Sequence, residues 1–197
     1  DGRDIEMSVA STKAFYSQVV AGYLLAFAIS EVVSANKQSK RKAVLEALNS
    51  LPEEMEELLG LRGHISQLAN RYAPPRRHWA IVGSGGNVVA AEEIRIKLSE
   101  LCYKSIASDV IEDKKHIDLS SEPMILVCAN GITGSTVDDI AKEVAIFRAH
   151  KAAPIVITDS EPGKFPDALD VIPVPPTHPY LAFVLATMAG HLFGYEA

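Results

Sequence analysis

The chain has 197 residues, 48% of them hydrophobic, which suffices for a sizeable core in one domain or one and a half. Nineteen basic side chains against 25 acidic ones leave a net charge of −6 with no basic block. That balance argues against nucleic acid as a partner.

Cys102 and Cys128 fall inside an expected helix and an expected strand. They read as small core residues of a reducing, cytoplasmic compartment, not as a disulfide framework. No apolar run is read as reaching a membrane span, so no membrane partner is expected. No signal peptide, metal site or cofactor site is read from the sequence. The chain opens at Asp1 without a Met, which suggests a fragment or a processed form.

In chain order, Ser11 is expected to cap a helix over 11–33. Phe15, Val19, Val20, Leu24, Leu25, Phe27 and Ile29 make that helix apolar nearly all round, so it is expected to be buried in a larger body. Residues 36–42 break the pattern, and Lys37 to Lys42 reads as a basic linker. Helix resumes over 43–59, interrupted at Pro52 as the first residue of a new helix. A further helical segment covers 61–72. Pro74 and Pro75 then mark a boundary.

Beyond the prolines the pattern alternates. Strands are expected at 79–82, 104–108, 124–129, 155–158 and 170–174, with helices at 88–102, 135–150 and 179–193. Ser135 is read as a helix cap. The expected class is α/β, an open, mostly parallel sheet flanked by helices and preceded by a helical segment. Ligands on such sheets bind beyond the carboxyl ends of the strands, where the turns 83–86, 108–116, 130–135 and 159–164 lie.

The stretch from His78 to Tyr103 organises the chain. An apolar strand runs into Gly83, Ser84, Gly85 and Gly86. A helix follows, with Val88, Ala91, Ile94, Leu98 and Leu101 at helical spacing. The turn presents backbone N–H groups and a helix N-terminus to anything bound above the strand. Val88 stands where a dinucleotide fingerprint needs a small residue, which blocks that reading. Glu93, Lys97 and Glu100 share one helix face. By itself the turn reads equally as a tight bend, and the stripe as a solvated face of ion pairs. The turn 130–135, with Gly131, Gly134 and Ser135 ahead of a helix, reads as an N-capped helix or as a phosphate cradle.

Two stretches carry a resemblance. S-V-A-S-T-K-A-F-Y-S-Q, from Ser8 to Gln18, resembles the V-A-S-T-K-A-F-T-x-Q motif of the sugar isomerase (SIS) fold in the glutamine–fructose-6-phosphate aminotransferase family. From Val82 to His116 the chain is similar to the family without a gap. Its K-L-K-E-I-S-Y helix end reads Lys97 to Tyr103, and its E-L-K-H reads Asp113 to His116. The resemblance implies that residues 1–75 are the carboxyl-terminal part of a first SIS domain plus a connection, and 76–197 a second SIS domain. It implies a sugar-phosphate ligand of the fructose-6-phosphate or glucosamine-6-phosphate class, and a homodimer. It implies proton transfer between C1 and C2, with Glu100 as the shuttling base and Lys97 supporting the open-chain sugar. His116 would open the sugar ring from a neighbouring subunit. Backbone at Val9 and the Ser11 side chain match sugar contacts; Gly83, Ser84, Gly85 and Ser135 complete the expected binding set.

Three departures bear on this. The family's H-G-P becomes His116, Ile117 and Asp118, and a family acidic residue falls on Ala107. The phosphate loop, the carboxyl-terminal lysine tail and the ammonia-supplying glutaminase domain are expected outside this sequence. Beside the isomerising aminotransferase stand two alternatives: a phosphosugar-binding sensor or structural module without turnover, and a SIS deglycase or lyase using the same base.

Overall fold

The computed structural model describes residues 10–33, 38–116 and 119–197. Five strands form one sheet: Trp79–Gly83 (β1), Ala107–Val110 (β2), Met124–Cys128 (β3), Ala153–Thr158 (β4) and Asp170–Pro173 (β5). Every residue of β1, β3 and β4 is buried, as in strands covered on both faces. All pairings are parallel and the order is β2-β1-β3-β4-β5. The order reverses between β1 and β3, which opens a crevice at their carboxyl ends.

Alternate residues of each strand face opposite layers. Trp79, Ile81, Met124, Leu126, Ile155 and Ile157 meet one helical layer. That layer is built from Gln38–Leu59 (α2), Arg62–Tyr72 (α3), Asn87–Cys102 (α4) and Ala182–Glu196 (α7), through Leu58, Ile65, Leu98, Leu185 and Phe193. Ala80, Val82, Ile125, Val127 and Val156 meet the other. It holds Ile111–Lys114 (α5) and Ser135–Ala149 (α6), through Ile111, Ile140, Val144 and Phe147. Lys13–Val32 (α1) lies outside the first layer, with Tyr16, Val19 and Tyr23 against it.

Two glycines set the spacing of α4 and α7. A Cβ on Gly190 would come within 2.4 Å of the Ile94 side chain, and one on Gly194 within 2.5 Å of Leu98. The helices approach closely because α7 is small at these two points.

The structure differs from the sequence reading at several points. No residue of α1 is buried, and Leu24, Leu25, Ile29 and Val32 are exposed, so the described residues cover only one side of this helix. At 20 residues it is also long and apolar enough to cross a membrane by length and composition, because nothing from Ala14 to Ser30 is charged. Thr12, not Ser11, occupies the cap position, without a side-chain hydrogen bond. Helix α2 starts at Gln38, within the expected basic linker, and passes through Pro52 unbroken. Leu51 and Leu58 are buried on either side of that proline, and a shared core face holds the helix together across one lost N–H.

Strand β2 begins at Ala107, where its pairing with Ala80 of β1 begins. The expected start, Lys104, instead lays its ammonium 4.7 Å from the Trp79 ring centroid, just after Tyr103 ends α4 in a left-handed turn (φ 52°). Helix α5, unforeseen in the sequence, occupies part of the turn 108–116. Gly134 (φ 69°) precedes α6, so Ser135 is its first helical residue and not its cap. Helix α7 starts at Ala182, three residues beyond the expected Pro179.

Candidate functional site

Helix α4 buries Ile94 and Leu98 against the sheet and α7. Lys97 lies next to that stripe, so its aliphatic stem is buried with it and only 5% of the residue is exposed. A buried ammonium needs counter-charge. The same helix supplies it from both sides: Lys97 Nζ lies 3.3 Å from Glu93 Oε1 and 3.7 Å from Glu100 Oε2. The two carboxylates are not equivalent. The Glu93 side chain is 12% exposed and faces α7, whereas that of Glu100 is 31% exposed. Glu100 keeps Oε2 buried beside the ammonium while the side chain as a whole remains reachable. One lysine thus holds an inner and an outer carboxylate.

Helix α7 adds His191, with Nε2 3.5 Å from Glu93 Oε1. Helix α1 adds Tyr16, whose hydroxyl is 2.9 Å from His191 Nδ1. Burial, and after it the Lys97 charge, pull the imidazole down to about 4, so at neutral pH the ring is uncharged. The contact with Glu93 is therefore a neutral one and not an ion pair. Burial, and next the Glu93 carboxylate, push the Tyr16 phenol up from its ordinary value, so Tyr16 keeps its proton. A protonated phenol can donate to Nδ1 or accept from it; where it donates, the ring hydrogen stands on Nε2, on the side of Glu93. The phenol, imidazole, inner carboxylate, ammonium and outer carboxylate form one polar row beside an apolar layer, buried at its centre and half-buried at its two ends. Such a row suits proton transfer at a carbon beside a carbonyl: a reachable carboxylate takes the proton, and a fixed ammonium meets the developing oxyanion.

The glycine turn lies elsewhere. From Asn87 to Glu100 the helix rises about 20 Å, so Gly83, Ser84 and Gly85 sit at the opposite end of α4. Gly83 is needed there because a Cβ would come within 2.2 Å of the Asn87 carbonyl oxygen. Gly85 has φ 57°. Asn87 Nδ2 donates to the Asn130 carbonyl at 2.8 Å, and Asn130 Nδ2 to that of Ala182 at 2.8 Å. The crevice between β1 and β3 is thereby tied to the start of α7. In the turn 130–135 the Gly131 N–H is taken by Asp159 Oδ1 at 2.8 Å, and Ser135 is exposed.

His116 is exposed beyond α5, at the carboxyl end of β2, with its N–H bonded to the Asp113 carbonyl. Glu100 lies toward the amino end of that strand. Within one chain the two are held at opposite ends of the sheet. Ser11 stands two residues before α1, whose first turns carry Tyr16 to the cluster. Val9 lies outside the described residues. No group of three or more metal-type side chains occurs among the described residues.

Tyr16 and His191 had not been assigned a role from the sequence. They lie 175 residues apart, a pairing no local pattern encodes. One signal was present: Tyr16 replaces a threonine of the motif it otherwise resembles.

No family model matches the chain. It is 28% identical over 196 residues to the glutamine–fructose-6-phosphate aminotransferase (isomerizing) of Haemophilus influenzae, covering 97% of this chain and 32% of that one. The chain spans about a third of the length of the curated relatives it matches. Among solved structures it superposes on the carboxyl-terminal domain of glucosamine-fructose-6-phosphate aminotransferase from Francisella tularensis with a TM-score of 0.87 at 22% identity, covering 98% of this chain and 55% of that one. The tagatose-6-phosphate ketose/aldose isomerase of Escherichia coli gives 0.58 at 21% identity, over 72% of this chain and 40% of that one. The chain has the SIS fold, and nearly its whole length is similar in sequence to the glutamine–fructose-6-phosphate aminotransferases.

Proposed function

We propose that the protein binds a sugar phosphate and interconverts its ketose and aldose forms by moving a proton between C1 and C2, as part of an isomerising aminotransferase-like protein. The observation that carries this is Lys97, buried between Glu93 and Glu100, with only the outer carboxylate reachable. In this reading Glu100 removes the proton from one carbon and returns it to the next. Lys97 holds the carboxylate and offsets the charge that builds on the sugar oxygen. Its pairing with Glu93 keeps it in place when Glu100 is protonated.

Residues 1–75 are then the end of a first SIS domain with its connection, and 76–197 a second one, in a cytoplasmic homodimer. His116 acts on the ring across the subunit boundary, in keeping with its distance from Glu100 within one chain. Val9 and Ser11 contact the sugar from the α1 side. Gly83, Ser84, Gly85 and Ser135 lie too far along the fold to touch the same sugar as Glu100 in one chain. They serve this ligand only from a neighbouring subunit. The second reading, a phosphosugar-binding module without turnover, draws on the changes after His116, where Ile117 and Asp118 replace the family's Gly and Pro.

Glu100→Gln in the full-length protein separates the two. It keeps size and hydrogen bonding but removes the base. Fructose-6-phosphate/glucose-6-phosphate interconversion should fall by roughly 10²–10⁴, while sugar-phosphate binding by calorimetry is retained. Interconversion at the wild-type rate would remove Glu100 as the base. Binding without turnover in the wild type would favour the module.

A further inference from the structure

We propose that Tyr16 and His191 are positioning residues that orient Glu93 and thereby fix where Lys97 stands against Glu100. The proposal rests on the isomerase reading for its kinetic consequence, but not for its geometry.

The first two links join different helices, and the third lies within α4. The Tyr16 hydroxyl of α1 meets His191 Nδ1 of α7 at 2.9 Å. His191 Nε2 then meets Glu93 Oε1 of α4 at 3.5 Å, and the same oxygen lies 3.3 Å from Lys97 Nζ. Each contact depends on the one before it. With the Tyr16 proton on Nδ1, the ring can only carry its own hydrogen on Nε2, directed at the inner carboxylate. His191 Nε2 and Glu93 Oε1 are both buried and, at 3.5 Å from each other, neither has a hydrogen-bond partner among the described residues; a ring hydrogen on Nε2 gives each of them one after a small approach. Without the phenol, the ring is free to carry its hydrogen on Nδ1 and present a lone pair to a carboxylate, which is repulsive. Glu93 would then turn from the ring and draw the ammonium with it, away from Glu100. Gly190, beside His191, is the residue that brings α7 close enough for this contact.

The same observations explain why α1 bears on the chemistry at all. Its first turn carries the second half of the amino-terminal motif, and Tyr16 is the side chain that reaches the α4 row, through His191. Phe15 stacks edge-on to the same imidazole, with ring centroids 6.3 Å apart, and so limits its rotation.

The test pairs kinetics with spectroscopy on the full-length protein. Tyr16→Phe keeps the ring and removes one oxygen. In the ketose/aldose assay kcat should drop about tenfold, the scale of one hydrogen bond to a charged group, with KM changed less than about twofold. His191→Gln supplies a neutral N–H that does not need the phenol. In that background Tyr16→Phe should cost less than about twofold relative to His191→Gln alone. Equal losses in both backgrounds would show that Tyr16 acts by packing only, and would overturn the relay. Separately, ¹⁵N spectra of the histidine ring should show the Nε2–H tautomer in the wild type and a shift toward Nδ1–H in Tyr16→Phe. An unchanged tautomer would also overturn it. If Glu100→Gln leaves turnover intact while the tautomer shifts as expected, the isomerase assignment has failed and the relay has not.

Discussion

His191 gives the fold a defined pH dependence. Its imidazole is 9% exposed and sits among Glu93 and Lys97 of α4 and Tyr16 of α1. Burial and the lysine hold it near 4, against 6.5 for a free ring. Above 6.5 neither the folded nor the unfolded chain protonates this group. Between 6.5 and 4 the unfolded chain takes up a proton that the folded one refuses, so stability falls as the pH drops through that window. Linkage puts the loss from pH 7 to pH 5 at about 2 kcal/mol for this residue. Other carboxylates also titrate in this range, so the measurement is a difference. Urea denaturation of wild type and His191→Gln at pH 7, 6 and 5 should give curves that converge as the pH falls, the variant lacking this component. Parallel curves would show that the ring is not desolvated in the folded chain. A wild type that gained stability relative to the variant on acidification would show a protonated ring paired with Glu93, and the neutral relay would be wrong.

Two other outcomes follow from the packing. Gly190→Ala places a methyl group within 2.4 to 2.8 Å of three Ile94 side-chain atoms and should destabilise the fold by about 1–3 kcal/mol, read as a lower urea midpoint; an unchanged midpoint would mean that α4 and α7 are not closely seated. The uncovered apolar side of α1 (Leu24, Leu25, Ile29, Val32) should hold the protein as a dimer at micromolar concentration, and Leu25→Glu should shift sedimentation toward monomer; a wild type that sediments as a clean monomer would refute it.

The sheet was legible because its strands are buried on both faces. Trp79–Gly83 and Met124–Cys128 read as short apolar runs, which in an alternating chain mean parallel strands. Strand β2 was misplaced because it is a poor run: Ala107, Ser108 and Asp109 carry little apolar signal, and only pairing with β1 defines them. Helix α2 was broken at Pro52 because proline costs a hydrogen bond, a local rule that the buried Leu51 and Leu58 override. In the site, spacing alone placed Glu93, Lys97 and Glu100 on one face, but the burial of Lys97 was not read from it, since such a stripe reads equally as a solvated face of ion pairs. Their ordering into an inner and an outer carboxylate was not legible. It depends on α7, whose His191 approaches Glu93 but not Glu100, and a contact across the fold leaves no period in the chain.

On the proposed reading, that ordering also decides which end of α4 would carry the chemistry. The general rule for open α/β sheets points to the crevice above β1 and β3, and the glycine turn fits the rule in form. The groups beside it are partly tied down: Asn87 Nδ2 to the Asn130 carbonyl, Asn130 Nδ2 to that of Ala182 and the Gly131 N–H to Asp159, while Asn87 Oδ1 and Asn130 Oδ1 are buried without a partner among the described residues. These bonds fasten the sheet top to α7 and hold Gly190 and His191 at their height on α4. The buried charges stand partway along that helix and beyond, on the side turned to α7 and α1, with one carboxylate still open to a ligand. On the proposed reading the turn anchors α4 against α7, and the groups assigned to proton transfer lie where those helices face each other.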